Sequence, residues 1–428
     1  MNIFWLRRDL RLTDNTALNA ALNSGEKVQP IFIFDTKIIN ELDENDPRIT
    51  FIYEQLQKIN FELLTYGSSL KIFFGDPTMI WQEIVNKVTV DGVYVNRDYE
   101  PYGINRDVSI KEDLNKKNIP FFSFKDQVIF EKDEITKKDG SPYTVFTPFK
   151  NKWLEKFNQI QIDSTAVTNV SHFLKSNYAF PSMEDLGFVE STIKVPKYEL
   201  RHVPDYESTR NFPAIDKTSK IGPHLRFGTV SIRAIINDVK NLSDTYLSEL
   251  IWREFFMQIL WHFPKVVHNN FKPKYNGIEW RNNQEEFQKW CKGKTGYPIV
   301  DAGMRELNET GFMHNRVRMI VASFLCKHLL IDWRWGEAYF AKKLLDFELS
   351  SNNGNWQWSA GTGCDSAPYF RVFNPYEQTK KFDSSHAYIK KWVKDINELT
   401  YPQPMVDHAL ARKRALDTYK SGLEKILV

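Results

Sequence analysis

Asn2-Ile3-Phe4-Trp5-Leu6 is the stretch on which the fold turns. It is too short for a buried helix and almost wholly apolar, so it reads as a strand covered on both faces. Working outward, similar runs recur at Gln29–Phe34, Lys71–Phe74, Gly92–Val95 and Phe121–Phe124. Helix-like patterns lie between them, near Asn15–Asn23, Ile49–Tyr66, Thr78–Lys87 and Arg106–Asn118. Short apolar strands alternating with helices predict a parallel sheet with helices on both sides. No G-x-G-x-x-G opens the first crossover, so nothing there supports dinucleotide binding.

From about Lys125 to Asp205 the texture changes. Charged and turn residues dominate, with Pro142, Pro148, Pro181, Pro196 and Pro204, and no sustained period. Such a stretch is long for a loop inside a compact domain and reads as a connector. Beyond it, Val230–Val239, Tyr246–Trp261, Val300–Glu309, Arg316–Leu330 and Trp335–Leu349 repeat apolar residues at helical spacing. Polar pieces interrupt them, notably Ser350-Ser351-Asn352-Asn353-Gly354-Asn355. The expected organisation is a Rossmann-like α/β domain over 1–130, a linker over 131–204 and a large all-helical domain over 205–428.

A chain of 428 residues with 42% hydrophobic content suits two or three domains and excludes a disordered chain. No apolar run reaches the roughly 18 residues of a membrane span. The opening residues enter a strand without the basic and apolar regions of a leader peptide. Cys291, Cys326 and Cys364 are too widely spaced for a disulfide framework or a metal site. These features point to a cytoplasmic, metal-free monomer without an obligate protein partner. A net charge of +3 permits a local basic groove for nucleic acid without demanding one. The 12 Trp, 18 Tyr and 31 Phe are mostly core mass, but a tryptophan among polar residues invites a stacking or redox role.

Several ordered segments carry a resemblance over nearly the whole chain. The first is Trp5-Leu6-Arg7-Arg8-Asp9-Leu10-Arg11-Leu12-Thr13-Asp14-Asn15. Glu249-Leu250-Ile251-Trp252-Arg253-Glu254-Phe255 follows, then Gly293 to Arg305, then His314-Asn315-Arg316-Val317-Arg318-Met319. Asn352-Asn353-Gly354-Asn355-Trp356-Gln357-Trp358 and Asp365 to Pro375 complete the set. With these segments the chain resembles the photolyase/cryptochrome family, most closely the bacterial class I enzymes that split cyclobutane pyrimidine dimers.

The resemblance implies FAD bound in the helical domain, active as the reduced anion. Thr218, Ser219, Lys220, Ile221 and Gly222 look like the phosphate-binding segment, where hydroxyls and N–H groups at a helix start suit a pyrophosphate. Tyr206 matches a position near the phosphates, and Asn315 is a further flavin contact. Arg318 and Asp346 look like the ion pair beside the isoalloxazine ring. Most relatives have Ser at the Gly222 position and Asp where this chain has Glu348, so both contacts change in reach. Asn352 matches the residue facing flavin N5, and a turn Asn is its plain alternative. Trp356, Trp333 and Trp280 match a relay from flavin to surface.

On the substrate side the resemblance implies UV-damaged DNA with the lesion flipped into a pocket. Glu249, three positions before Trp252, shares a helix face with it and would hydrogen-bond a thymine edge while the indole stacks on the bases. Trp358 and Met319 would form the rest of the wall. Arg210, Arg253, Arg316 and Arg371 are candidates for the DNA groove. Enzymes for (6-4) lesions carry a histidine-bearing pocket, whereas this chain has Glu249 and Met319. The alternatives are a (6-4) photolyase or a blue-light-sensing cryptochrome without repair. An antenna chromophore, methenyltetrahydrofolate or a deazaflavin, is common among relatives. One folate arrangement needs an acidic residue where this chain has Gly103.

Overall fold

The computed structural model describes residues 1–425 and divides into two compact units. The first comprises Met1–Ile135, Trp153–Tyr198 and Lys220–Leu242. The second comprises Thr136–Lys152, Glu199–Ser219 and the chain from Ser243 onward.

In the first unit the strands are β1 Asn2–Leu6, β2 Val28–Asp35, β3 Lys71–Gly75, β4 Gly92–Asn96 and β5 Phe121–Phe124. All are parallel, in the order β3-β2-β1-β4-β5, with Phe4 between Pro30 and Tyr94. β1, β2 and β4 are buried at every position, the signature of central strands covered on both faces. Helices α1 Thr16–Leu22, α2 Pro47–Thr65, α3 Pro77–Lys87 and α4 Pro101–Asn115 fill the crossovers. The last begins five residues before the expected Arg106. Pro101 sits in its first turn, where a missing N–H costs nothing.

Two expected boundaries are corrected. The stretch 131–204 is no separate body: Thr136–Lys152 groups with the second unit and Trp153–Tyr198 with the first, where Trp153 packs edge-on to Phe130 at 5.4 Å. The helix α5 Ile232–Val239, expected in the helical domain, also groups with the sheet unit. Its Arg233 reaches Asp126 at 2.8 Å and Asp14 at 3.1 Å. Arg11 holds the other oxygen of Asp126 at 2.6 Å. Burial pushes the Asp126 carboxyl up, but Arg11 and Arg233 more than offset this and bring it down to about 2.

That cluster sets an acid limit. A carboxylate lowered in the folded state lends stability above its unfolded pKa of about 3.9, and the gain is lost as pH falls toward the folded value. Acid unfolding of the sheet unit should therefore steepen between about pH 4 and pH 2. Asp126→Asn should flatten that limb in a circular-dichroism titration, while an unchanged acid limb would show that the charge of Asp126 carries no such linkage.

The second unit is helical: α6 Asp244–His262, α7 Gln284–Cys291, α8 Pro298–Thr310, α9 Asn315–Ser323, α10 Trp333–Lys343, α11 Leu349–Ala360 and α12 His408–Glu424 are its main elements. The polar piece 350–355, read as an interruption, lies inside α11. Composition misled because the polar side chains bond inward. Asn353 and Gln357 donate to the Val266 carbonyl at 3.1 and 3.0 Å. Gly354 lets Phe256 of α6 approach, since a Cβ there would fall 2.2 Å from that ring. The run Arg316–Leu330 is also not one helix, because α9 passes into a π-helical turn over Phe324–His328. No helix among the described residues is long and apolar enough to cross a membrane.

Candidate functional site

Helix α6 places Glu249, Trp252 and Arg253 on one partly exposed face while Leu250, Ile251 and Glu254–Leu260 are buried. Arg210 donates to one oxygen of Glu249 at 2.7 Å, with 31% of the glutamate side chain still reaching solvent. Burial pushes the Glu249 carboxyl above its ordinary range, and the charges of Arg210 and Lys150 oppose this. Arg210 also lies over the Tyr206 ring at 5.2 Å, and Tyr206 packs edge-on to Tyr246. Arg210, Tyr206 and Glu249 thus form one cluster.

Trp252 is less free than expected. Phe146 lies flat against its indole at 3.6 Å and 9°, and Phe256 follows at 5.4 Å. A lesion can stack only on what these rings leave uncovered. Phe146 escaped the sequence reading because it lies in a stretch read as linker. Its signal was the aromatic pair Phe146 and Phe149 around Pro148 in an otherwise polar run.

Arg253 is held by Glu348 at 3.3 Å, with Glu348 5% exposed in its side chain. The longer acid in place of Asp is thereby committed to an arginine, and Arg253 serves the wall before it serves DNA. Arg318 engages Asp346 through both terminal nitrogens, at 3.2 and 2.9 Å, and its Nε donates to the Met313 carbonyl. Asn352 is 9% exposed, and its amide donates to the Glu337 carboxylate at 2.8 Å and carbonyl at 3.1 Å. It sits in a helix, so the reading as a turn residue is excluded. Glu337, raised by burial against the Asn352 hydrogen bond, is a residue the sequence reading missed.

Arg316 donates to Asn211 at 2.6 Å and lies over Phe382 at 4.4 Å. Met319 and Trp358 are partly buried, while Asn315 and Arg371 are exposed. Trp356 and Trp333 are buried in one aromatic cluster, with Trp280 partly buried at its margin.

The phosphate segment differs from expectation. The helix there begins only at Gly222, with Ile221 at its cap and no capping side chain. Thr218 and Ser219 therefore lie before the helix start. Lys220, Ile221 and Gly222 belong to the first unit, with Lys220 left-handed at φ 55°. Ser219 accepts from the Tyr246 hydroxyl at 2.8 Å, and Thr218 Oγ1 is buried with no partner.

Do these residues fit FAD? A buried hydroxyl without a partner costs about 1–3 kcal/mol, and a ligand phosphate oxygen would satisfy Thr218. The buried Ser350 hydroxyl is likewise unpartnered, at the start of the helix that carries Asn352. The donor set fits the flavin. The folate arrangement does not fit. Gly103 has no side chain to meet a folate, and a Cβ there would fall 2.6 Å from the Asp98 carboxylate, which would have to move to admit an acid. No cluster of His, Cys, Asp and Glu among the described residues could hold a metal ion.

Comparison with known proteins shows the family. Residues 2–168 match the family model described as DNA photolyase, and 246–400 match the FAD binding domain of DNA photolyase. The deoxyribodipyrimidine photo-lyase of Vibrio cholerae is 36% identical, covering 99% of this chain and 100% of its own. A class III photolyase from Agrobacterium tumefaciens superposes with a TM-score of 0.86 at 32% identity, over 99% of this chain and 97% of that one. A Synechocystis cryptochrome reaches the same TM-score at 25% identity, over 98% and 99%. Backbone shape alone thus does not separate repair enzymes from cryptochromes.

Proposed function

The chain belongs to the DNA photolyase family, and from that premise we propose that it splits cyclobutane pyrimidine dimers in DNA under light. The observation that carries this is Glu249, a carboxylate held by Arg210 on one oxygen beside Trp252 on the exposed face of α6. A half-exposed acid fixed in place by an arginine suits a group that must meet a base edge and steady charge growing on the dimer. Met319, rather than histidine, on the face of α9 favours the cyclobutane lesion over the (6-4) lesion.

Reduced FAD, when bound, would supply the light-driven electron that opens the dimer and recover it afterwards. Thr218 offers its hydroxyl to a phosphate. Arg318, steadied by Asp346, presents a fixed positive charge to an anionic ring. The Asn352 amide is oriented by Glu337, and Trp356, Trp333 and Trp280 supply electrons when the cofactor must be recharged. Arg210, Arg316 and Arg371 serve the phosphate backbone, so binding should weaken with salt.

The test is an assay on defined lesions. Purified protein loaded with FAD and reduced chemically should split cyclobutane dimers only in light and leave (6-4) lesions unchanged. Repair in darkness, or of the (6-4) lesion alone, would overturn the assignment. Light-induced cofactor reduction without repair of either lesion would favour the cryptochrome reading.

A further inference from the structure

We propose that Asp365 is a positioning residue for lesion recognition: it fixes Phe146 against Trp252, so that the indole offers a lesion one face at one tilt. The inference rests on the reading of Trp252 as the surface on which a flipped dimer stacks.

A helix begins at Phe146 and runs to Phe157. The first N–H groups of a helix have no partner within it, and the usual cap is the side chain just before. Here that residue is Val145, which carries no acceptor. Asp365 supplies one instead, from 219 positions away: its carboxylate accepts the Phe146 N–H at 3.0 Å. A negative charge at a helix N-terminus is favourable as well. The bond falls on the residue whose ring lies flat against Trp252. Phe146 is itself buried, and Phe255 packs edge-on to both rings, at 5.8 and 5.5 Å. Phe146 is thus a fixed backing to the indole.

The backbone at Asp365 shows what the position adds. Its φ is 45°, in the left-handed region, where a glycine would sit with less strain. A turn alone does not call for aspartate, whereas a cap needs the carboxylate. The loop around it, 361–374, is tied down on two sides. Lys327, buried on the π-helical turn, donates to the carbonyls of Ala360 at 2.7 Å and Tyr369 at 3.2 Å. Lys272 donates through its ammonium to the Ser366 hydroxyl at 2.9 Å and through its backbone N–H to the Thr362 carbonyl at 3.0 Å. Asp365 therefore stands on a held segment, and what it grips is held in turn.

Fixing the indole matters because of the shape of the lesion. Every base has a flat face, and an indole free to turn stacks on any of them. A cyclobutane dimer is two bases bonded into a splayed pair. An indole held at one tilt, one helical turn from Glu249, fits that pair without a further ordering cost and does not turn to follow a single flat base. The clamp thus sets discrimination between damaged and intact DNA, while phosphate contacts set register and overall affinity.

The test measures binding of FAD-loaded protein to duplexes with and without one cyclobutane dimer. Asp365→Gly keeps the left-handed turn and removes the cap. It should weaken dimer binding about tenfold, the cost of ordering one freed side chain. Binding to intact DNA, its salt slope and repair per bound dimer should not change. Asp365→Asn keeps an oxygen for the Phe146 N–H and tolerates the same φ, so it should keep the preference for the dimer. Phe146→Leu fills similar space but cannot stack, and should match the glycine variant. In fluorotryptophan-labelled protein, the fluorine resonance lost in Trp252→Leu belongs to Trp252. That resonance should shift and broaden in Asp365→Gly and stay in place in Asp365→Asn. Full preference for the dimer in Asp365→Gly, or an equal loss in Asp365→Asn, overturns the clamp. Equal weakening on both duplexes marks a structural role only and overturns it too. If Trp252→Leu keeps full preference, the stacking reading fails and the clamp falls with it.

Discussion

Asn352→Asp is expected to destabilise the helical unit and strip it of flavin, and adding Glu337→Gln is expected to restore both. The native amide gives its two N–H groups to the Glu337 carboxylate and carbonyl, at 2.8 and 3.1 Å. An aspartate would set oxygen against both acceptors with no proton between them. Burial already holds the Glu337 carboxyl high, with the Asn352 hydrogen bond opposing. Removing the donor and adding a like charge pushes the pair higher still, so the two acids would share one proton. An acid raised in the folded state stabilises it below the unfolded pKa and loses that contribution as pH rises through the folded value. The variant should therefore be nearest wild type in acid and weakest in alkali, by about 1–3 kcal/mol for the unsatisfied buried groups. Urea unfolding across pH, with the flavin-to-protein absorbance ratio, reads both effects. A destabilisation independent of pH, or one that Glu337→Gln fails to relieve, would mean that the pair is not the cause. The double variant also separates this local clash from any direct effect of an acid on the flavin.

The sheet was legible because its strands obey one rule. Ile3, Phe4, Trp5 and Leu6 are apolar on both faces, and only a covered parallel strand needs that. The candidate site was legible as residues but not as pairings. Glu249 and Trp252 share a helix face as their spacing requires, yet nothing in the sequence says that Arg210 would hold the acid or that Phe146 would cover the indole. Such partners lie 39 and 106 positions away in the chain, beyond any period. Asn352 shows the other failure. A run of Ser, Asn and Gly has the composition of a loop, and it became helix because tertiary bonds to Val266 and close packing on Phe256 outweigh propensity.

Glu249→Gln is expected to raise stability at neutral and alkaline pH while repair falls about tenfold or more, the worth of a charge-assisted hydrogen bond of about 1.5 kcal/mol. Burial raises the Glu249 carboxyl, and Arg210 and Lys150 only partly compensate. The folded protein thus binds this proton more tightly than the unfolded chain does. Its contribution is present below the unfolded pKa and is lost as pH rises through the folded one. Glutamine has the same shape, stays neutral at every pH and escapes that loss, so the variant's stability curve should be flatter in this window. Its amide still offers Arg210 an oxygen at the position now 2.7 Å away, which keeps the wall in place. Repair should suffer for a different reason: a neutral amide steadies a developing charge less than a carboxylate held in a fixed position. A residue that costs stability where it stands is one retained for its chemistry. Thermal unfolding against pH and repair rate at saturating light, measured on the same preparation, distinguish the two roles. If Glu249→Gln instead loses stability and repairs normally, Glu249 is a structural partner of Arg210, and the lesion must be read by other residues on the same face of α6.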